Sequence, residues 1–134
     1  MTFDVEVAAR TVMGEARGEG DDGMLAVAWV IINRFKANAW YSGETIAGTC
    51  LKREQFSSWN PNDPNYSLLC NLPDTDSTLT ACRNFVLEAI NGMGQDPTNG
   101  STFYHADTMN PYPSWASQYT QMAHINHQIF YKDQ

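Results

Sequence analysis

The sequence predicts an α+β domain that is mainly α-helical, with a small β-sheet or hairpin near its carboxyl end. Apolar residues recur at three- and four-residue steps from position 2 to 16, and Met24–Ile32 is apolar on every face. Short aromatic runs of strand type come only late, at 102–105 and 129–131. The chain has 134 residues, of which 43% are hydrophobic, so we interpret residues 1–134 as a single domain with one core.

The first predicted helix covers residues 2–16. Gly18 and Gly20 follow it, and they predict termination because glycine tolerates the left-handed backbone that closes a helix. Glu15 therefore lies in the last turn, two residues beyond the apolar Met13. Its carboxyl is expected at the edge of the core.

Two more helices are expected in the first half of the chain. Asp21 and Asp22 are predicted to cap the second helix, whose uniformly apolar segment Met24–Ile32 is typical of a central buried helix. Thr45 is expected to cap a short third helix over residues 46–52.

The second half is predicted to begin with a long loop. Residues 57–73 include three prolines and several Asn and Ser, which predicts an irregular surface segment. A helix then begins at Asp76 or Ser77 and ends at Gly92. The two aromatic runs are expected to pair as strands of one small sheet.

The charge balance excludes several classes of partner. Eight Lys and Arg residues stand against fifteen Asp and Glu, for a formal net charge of −7. Nucleic acid is excluded as a partner because its binding needs a basic surface.

The longest apolar stretch has nine residues, too few for a transmembrane segment. The amino terminus is acidic and lacks the regions of a signal peptide, so no export signal is expected in this chain.

The three cysteines, Cys50, Cys70 and Cys82, contain no C-x-x-C pair. Two interpretations stay open: buried free thiols, and one disulfide that leaves a thiol over. The frequent burial of unpaired cysteine favours free thiols.

Glu15 is the leading candidate for a catalytic acid. An anionic side chain is unfavourable at the carboxyl end of a helix, where the helix dipole is negative, so its placement does not serve stability. Apolar surroundings disfavour an ionised carboxyl, and a general acid must hold its proton near neutral pH. Glu19 is expected to orient the site or to pair with Arg17 or Arg34. The alternative is that this segment is only a solvated helix end.

Two further clusters alternate aromatic and hydrogen-bonding groups. Sugar rings present an apolar C–H face and an edge of hydroxyls, so clusters of this kind suit a glycan. The alternative for Phe56 and Trp59 is that they anchor a loop in the core. The residues concerned are Gln55, Phe56, Ser57 and Trp59 in the first cluster, and Tyr104 and His105 in the second.

A zinc site is the main alternative chemistry. His105, His124 and His127, with Asp107, include the three ligands that an open catalytic zinc site needs. The spacing His124-x-x-His127 is weak evidence, because H-E-x-x-H is absent. Structural or sugar-contacting histidines are favoured, and neither a metal nor another cofactor is expected. Motifs of serine nucleophiles and phosphate loops are absent as well.

Taken together, these motifs resemble the cell wall hydrolase family typified by the catalytic domain of spore cortex-lytic enzymes. The resemblance spans nearly the whole chain, and G-E-A-R-G-E followed by V-I-I-N-R is a specific signature. The matching segments are Ala9-Arg10, Met13–Glu19, Gly23, Ala26–Ala28, Val30–Arg34, Thr45–Ala47, Gln55–Ser57, Trp59, Ala89–Gly92, Phe103–His105, His127 and Phe130-Tyr131.

The resemblance implies a lysozyme-like fold and a peptidoglycan-degrading enzyme that cleaves the β-1,4 bond between N-acetylmuramic acid and N-acetylglucosamine. It implies a lytic transglycosylase that leaves 1,6-anhydromuramoyl ends, with Glu15 as the catalytic residue and Glu19 and Arg17 in support. The substrate contacts that follow are Gln55, Phe56, Ser57, Trp59, Tyr104 and His105. The alternatives are a muramidase, a zinc amidase or peptidase that uses His105, His124 and His127, and a glycan-binding module.

The implied partner is the glycan strand of peptidoglycan, and the enzyme is expected to act on the cell wall as a monomer. Relatives that act in spores are generally exported and carry a separate wall-binding domain. A chain with neither feature resembles a phage endolysin, which passes from the host cytoplasm to the wall with the help of a membrane-permeabilising partner. A bacterial cell wall hydrolase is the alternative origin.

Overall fold

The computed structural model describes residues 2–53 and 55–133. Within them, five α-helices precede and flank a small antiparallel sheet, which confirms the predicted fold class. The helices are α1 Thr2–Ala16, α2 Gly20–Ala37, α3 Ile46–Leu51, α4 Tyr66–Asn71 and α5 Ser77–Asn91. The strands are β1 Phe103–Ala106, β2 Thr120–Ile125 and β3 Gln128–Lys132, and 3₁₀ turns lie at Arg17–Glu19, Ser57–Trp59 and Ser114–Ser117.

Capping residues set the boundaries of the later helices. The Thr45 hydroxyl accepts the backbone N–H of Gly48 at 2.8 Å, which starts α3. The Asp76 carboxylate accepts the N–H of Leu79 at 2.9 Å, which starts α5. Gly92 ends α5 in the left-handed conformation, with φ of 65°. These three boundaries agree with the sequence-based predictions.

The prediction of an irregular segment over residues 57–73 is wrong, because this segment contains α4. Six residues are too few to show a helical period, and tertiary contacts hold this helix in place. Leu69 is fully buried, and the Arg10 guanidinium donates to the carbonyl oxygens of Leu69 and Leu72 at 2.9 and 2.8 Å.

The sheet contains one strand more than the two aromatic runs predict. The strand order is β1-β3-β2, and β1 pairs with β3 as expected, with Tyr104 opposite Phe130. The additional strand β2 has an irregularity between Gln121 and Ala123 and is only partly buried. This irregularity breaks the alternation by which a half-buried strand is normally recognised.

The helical core lies between α1, α2 and α5. α2 is its central element, and Ala26, Val27, Ala28, Val30 and Ile31 are all fully buried. One face of the sheet packs Phe130 against Ala26 and Val30 of this helix. Every helix in residues 2–53 and 55–133 is too short or too polar to cross a lipid bilayer.

All three cysteines are free, and they differ in exposure. Cys50 and Cys82 are buried, and burial raises the pKa of each thiol to about 12. Cys70 is exposed on α4, so the expectation that all three thiols are buried holds for only two of them.

We expect a single thiol per chain to react with a disulfide reagent such as Ellman's reagent at pH 8. The reactive species is the thiolate, which Cys50 and Cys82 do not form at this pH. After unfolding in guanidinium chloride, all three thiols should react. Cys70→Ser is the control, and its native form should release no chromophore on the same timescale. Rapid reaction of that variant would contradict the assignment.

Candidate active site

Glu15 lies in the last turn of α1, where two other elements reach its carboxylate. The hydroxyl of Tyr104 in β1 donates to Oε1 at 2.6 Å, and the backbone N–H of Ser58 donates to Oε2 at 3.1 Å. The side chain is partly buried and lines an open cavity of about 430 Å³. Both carboxylate oxygens are therefore held in place while the group still faces a space that a ligand can enter.

Gly14 permits the Ser58 segment to approach α1 this closely. A Cβ atom at position 14 would lie 2.6 Å from the Ser58 Cβ and 2.9 Å from the Leu69 Cδ1, which is closer than packed atoms come. The absence of a side chain at Gly14 therefore brings the Ser58 N–H within reach of Glu15.

We expect Gly14→Ala to lower stability and activity together. The added methyl group overpacks the contact with Ser58, at a cost of about 1–3 kcal/mol. Displacement of the Ser58 N–H leaves Glu15 less well positioned, which should lower turnover by about tenfold. Chemical unfolding and a wall-lysis assay measure the two effects. Gly18→Ala is the stability control, because nothing lies within 4 Å of a Cβ there; an equal loss of stability in the two variants would contradict the interpretation.

Tyr104 is a hydrogen-bond donor to Glu15 over the whole neutral range of pH. Burial, followed by the charge and the hydrogen bond of Glu15, raises the pKa of Tyr104 well above its usual range. The phenol therefore keeps its proton. Alternation along β1 directs Tyr104 to the face of the sheet that packs on α2, where Phe130 lies beside it at a ring-centroid distance of 5.6 Å.

The hydrogen-bonded pair of Glu15 and Tyr104 lies between two cavities, one lined by each side chain, and we call the two cavities together the groove. The cavity on the Glu15 side is also lined by Ala16, Gly18, Glu19, Ala106, Thr108, His127 and Gln128. The cavity on the Tyr104 side has a volume of about 300 Å³ and is also lined by Arg34, Trp40, Gln55, Phe103, Trp115 and Tyr119. A polymer that occupied both cavities would pass beside the Glu15 carboxyl.

Glu19 supports the β2–β3 turn. Its Oε1 accepts a hydrogen bond from the backbone N–H of His127 at 2.9 Å. Its backbone carbonyl oxygen accepts a hydrogen bond from Nδ2 of Asn126 at 2.7 Å. The sequence left open whether Glu19 orients the site or pairs with Arg17 or Arg34, and both of these hydrogen bonds go to the β2–β3 turn. Arg17 is exposed and donates to Oδ1 of Asn65 at 3.1 Å.

The first aromatic cluster divides between the groove and the core. Gln55 lines the groove, and Ser57 is exposed. Phe56 is only 2% exposed and belongs to the core, as the alternative interpretation has it. Trp59 packs against the same core and donates its indole N–H to Oγ1 of Thr11 at 2.7 Å. Phe56 and Trp59 thus anchor the segment that carries Ser58 to Glu15.

Arg34 joins the three elements that form the Tyr104 side of the groove. It lies on α2 and is only 5% exposed. Its Nε donates to the carbonyl oxygen of Thr102 at 2.6 Å, and its Nη1 donates to Oε1 of Gln55 at 3.2 Å. The guanidinium also lies 4.7 Å from the ring centroid of Phe103. Burial lowers the pKa of Arg34.

Two buried polar atoms near Glu15 lack a hydrogen-bond partner within the described residues. They are Oγ of Ser58 and Oε1 of Gln128. A buried polar atom left unpaired costs about 1–3 kcal/mol, so such atoms concentrate where function requires them. Neither residue was singled out from the sequence, because their side chains carry no distinctive chemistry.

His105 lies on the opposite face of β1 from Tyr104. Its Nδ1 is 2.8 Å from the carbonyl oxygen of Ala106, which can only accept, so Nδ1 carries a proton. In the neutral ring, Nε2 then accepts the hydroxyl of Tyr131 at 2.8 Å. Both ring nitrogens are occupied, and the ring is buried beside Trp115. His105 is therefore positioned for a structural role.

The other two histidines lie together at the end of the sheet. His124 Nε2 is 2.9 Å from Oδ2 of Asp107, and His127 Nδ1 is 3.9 Å from Oδ1 of the same carboxylate. Among residues 2–53 and 55–133, no group of three His, Cys, Asp or Glu side chains is arranged to hold a metal ion. His105 lies on β1 and His124 on β2, with β3 between them, so the three histidines considered as zinc ligands do not form one group.

Comparison with known families decides the membership of the chain. The model of the family described as Cell Wall Hydrolase matches residues 18–131, which is most of the chain. This chain belongs to the cell wall hydrolase family. Glu15 lies just before the matched segment, so its assignment depends on the geometry around it.

Two relatives of this cell wall hydrolase are the spore cortex-lytic enzymes of Oceanobacillus iheyensis and Halalkalibacterium halodurans. Each is 31% identical, over 96% and 95% of this chain. The chain spans 41% and 34% of the lengths of these two proteins.

Two solved structures have the same fold as this cell wall hydrolase. One is the catalytic domain of the germination-specific lytic transglycosylase SleB from Bacillus anthracis, with a TM-score of 0.73 at 28% identity, covering 96% of this chain and 93% of that one. The other is the catalytic domain of the Bacillus cereus SleB protein, with a TM-score of 0.75 at 28% identity and coverages of 98% and 91%. The family resemblance identified from the motifs is therefore confirmed.

Proposed function

We propose that this chain cleaves the β-1,4 bond between N-acetylmuramic acid and N-acetylglucosamine in peptidoglycan, as a lytic transglycosylase with Glu15 as the catalytic residue. The observation that carries the proposal is the Glu15 carboxyl, which lines an open cavity and is held there by the Tyr104 hydroxyl and the Ser58 N–H. The names of the relatives, spore cortex-lytic enzyme and lytic transglycosylase, support the same activity.

The proposed reaction needs one carboxyl, which acts twice. Protonated Glu15 first donates its proton to the glycosidic oxygen, and the bond from that oxygen to C1 of the muramoyl residue breaks. The Glu15 carboxylate then takes the proton of the muramoyl 6-hydroxyl, whose oxygen bonds to C1. The products are a free 4-hydroxyl on one fragment and a 1,6-anhydro end on the other.

The donors around Glu15 suit its second task. The Tyr104 hydroxyl and the Ser58 N–H both stabilise the carboxylate that remains after the first proton transfer. To begin the cycle, the carboxyl must be protonated at an oxygen that faces the groove. We infer that Tyr104 and Ser58 position the group for both proton transfers.

The position of Glu19 favours transglycosylation over hydrolysis. Hydrolysing glycosidases generally use a second carboxylate to activate water or to attack the sugar. Glu19 is the other carboxylate that lines the cavity on the Glu15 side, and its Oε1 is engaged by the His127 N–H. The substrate's own 6-hydroxyl then supplies the nucleophile.

Mass analysis of digested, purified peptidoglycan tests the proposal. We expect 1,6-anhydromuramoyl fragments, in the same yield with and without EDTA. Reducing muramic acid ends would identify a muramidase, and freed stem peptides that disappear with EDTA would identify the zinc alternative. Intact polymer would leave only a binding function. Action on the wall by a monomer is part of the proposal, whereas the endolysin role stays a prediction from the sequence.

A further inference from the structure

Trp40 is an exposed aromatic residue at the edge of the groove. Its side chain is 65% exposed, although a tryptophan is normally buried for most of its surface. It lines the cavity on the Tyr104 side together with Gln55 and Tyr104, and the hydroxyl of Tyr104 reaches Glu15. Neither the motifs nor the proposed mechanism gives this side chain a role.

The local backbone presents Trp40 to solvent. Asn38 caps the carboxyl end of α2 and has the left-handed conformation, with φ of 50°. The Ser42 N–H then donates to the carbonyl oxygen of Ala39 at 3.0 Å, and this closes a turn with Trp40 and Tyr41 in its middle. The turn directs Tyr41 into the protein, where it is 1% exposed, and leaves Trp40 outside.

The indole is supported from below by rigid neighbours. Its ring centroid lies 5.3 Å from that of Tyr41 in an edge-to-face arrangement and 6.3 Å from that of Phe103. Tyr41 is itself held by a hydrogen bond from its hydroxyl to Oδ2 of Asp133 at 2.9 Å. A ligand that stacks on Trp40 would therefore immobilise little that is not already ordered, which lowers the entropic cost of binding.

We propose that Trp40 is the stacking platform of a sugar-binding subsite in the Tyr104 side of the groove, with an N-acetylated hexopyranose of the glycan strand as its ligand. The flat indole matches the apolar C–H face of a pyranose ring. Gln55 and Tyr119 line the same cavity and offer polar groups to the hydroxyl edge of the sugar. This proposal rests on the proposed function for the identity of the polymer.

The subsite contributes to binding and not to the chemical step. Trp40 and Glu15 line different cavities, so the loss of Trp40 should raise KM and leave kcat within about twofold. Trp40→Ala should weaken binding of glycan strands by about tenfold, and Trp40→Phe should retain most of the affinity because it keeps a flat ring. Trp40→Leu covers Tyr41 with apolar surface but offers no flat face, so it should bind as weakly as Trp40→Ala.

The test measures binding in the Glu15→Gln background, with purified glycan strands freed of stem peptides as the probe. Catalysis does not enter this measurement, so it remains informative even if the expected anhydro products are not found. The matched control is Phe3→Ala, because Phe3 is 68% exposed and lines a separate cavity with Glu6, Asp74 and Arg83. The control should bind like the parent protein.

The order of affinities decides the outcome. Affinities that fall together in the Leu and Ala variants and return in the Phe variant support the stacking platform. Full rescue by Leu would show that Trp40 only shields Tyr41, and would overturn the proposal. An unchanged affinity in Trp40→Ala, or a parent protein that does not bind the strands, would overturn it as well.

Discussion

Glu15→Gln should lower the rate of peptidoglycan cleavage by about 10²–10⁴-fold, because the amide can neither donate the acid proton nor accept one from the 6-hydroxyl. The substitution keeps the shape of the side chain, and its carbonyl oxygen can still accept the Tyr104 hydroxyl. The amide N–H₂ would face the Ser58 N–H, so a small loss of stability is expected. Release of anhydromuramoyl fragments over time measures the rate.

Two variants separate a catalytic from a structural role of Glu15. Glu15→Asp keeps the carboxyl but withdraws it by one methylene, so it should retain a small part of the activity. Glu44→Gln removes the charge of an exposed glutamate outside the groove and should be fully active. Thermal unfolding of each variant shows whether the fold persists. A fully active Glu15→Gln protein would remove the basis of the proposed function.

The role proposed for Glu15 can be inferred from the sequence because two local signals agree there. The apolar stripe of α1 ends at Ala16, and a carboxylate in the last helical turn opposes the helix dipole. Such a conflict between local stability and residue choice is expected at a functional site. The fold class was predictable for a similar reason, since α1, α2 and α5 each show a helical pattern over many residues.

The partners of Glu15 could not be predicted in the same way. Ser58 contributes a backbone N–H, which every residue except proline possesses, and its approach depends on the missing side chain of Gly14. Tyr104 was placed in the groove by the aromatic run, but its bond to Glu15 requires the sheet to pack on α2. Contacts of this kind join residues far apart in the chain, so no local pattern reports them.

The sequence could not distinguish aromatic residues that contact a glycan from aromatic residues that anchor a loop in the core. An aromatic next to polar groups suits a sugar site and a loop anchor equally well, and only burial distinguishes the two. Phe56 is buried at 2% exposure, whereas Trp40 is 65% exposed at the edge of the groove. The cluster around Phe56 drew attention because its residues are adjacent in sequence, while Trp40 joins the groove through the turn after α2.

Tyr104→Phe should lower turnover by about 10–100-fold, because one hydrogen bond to a charged group contributes about 1.5–3 kcal/mol. The variant keeps the aromatic ring against Phe130 but removes the donor that holds Oε1 of Glu15. Since the lost bond acts on the carboxylate, the loss should appear in kcat more than in KM. Tyr119→Phe is the matched control for loss of a phenol hydroxyl from the groove wall, and its effect should fall on KM.

The same variant should also change how stability depends on pH in the alkaline range. The pKa of Tyr104 is raised in the folded protein, whereas the pKa of an unfolded tyrosine is about 10. Above pH 10 the unfolded state therefore binds fewer protons than the folded state, and stability falls as pH rises, by at most about 1.4 kcal/mol per pH unit for this one group. The contribution of the Tyr104 phenol to stability is fully present below pH 10.

Tyr104→Phe removes this pH dependence, so guanidinium chloride midpoints measured from pH 9 to 11 should fall less steeply than in the parent protein. Parallel curves would mean that the Tyr104 phenol titrates alike in both states, and that it is not shielded beside Glu15.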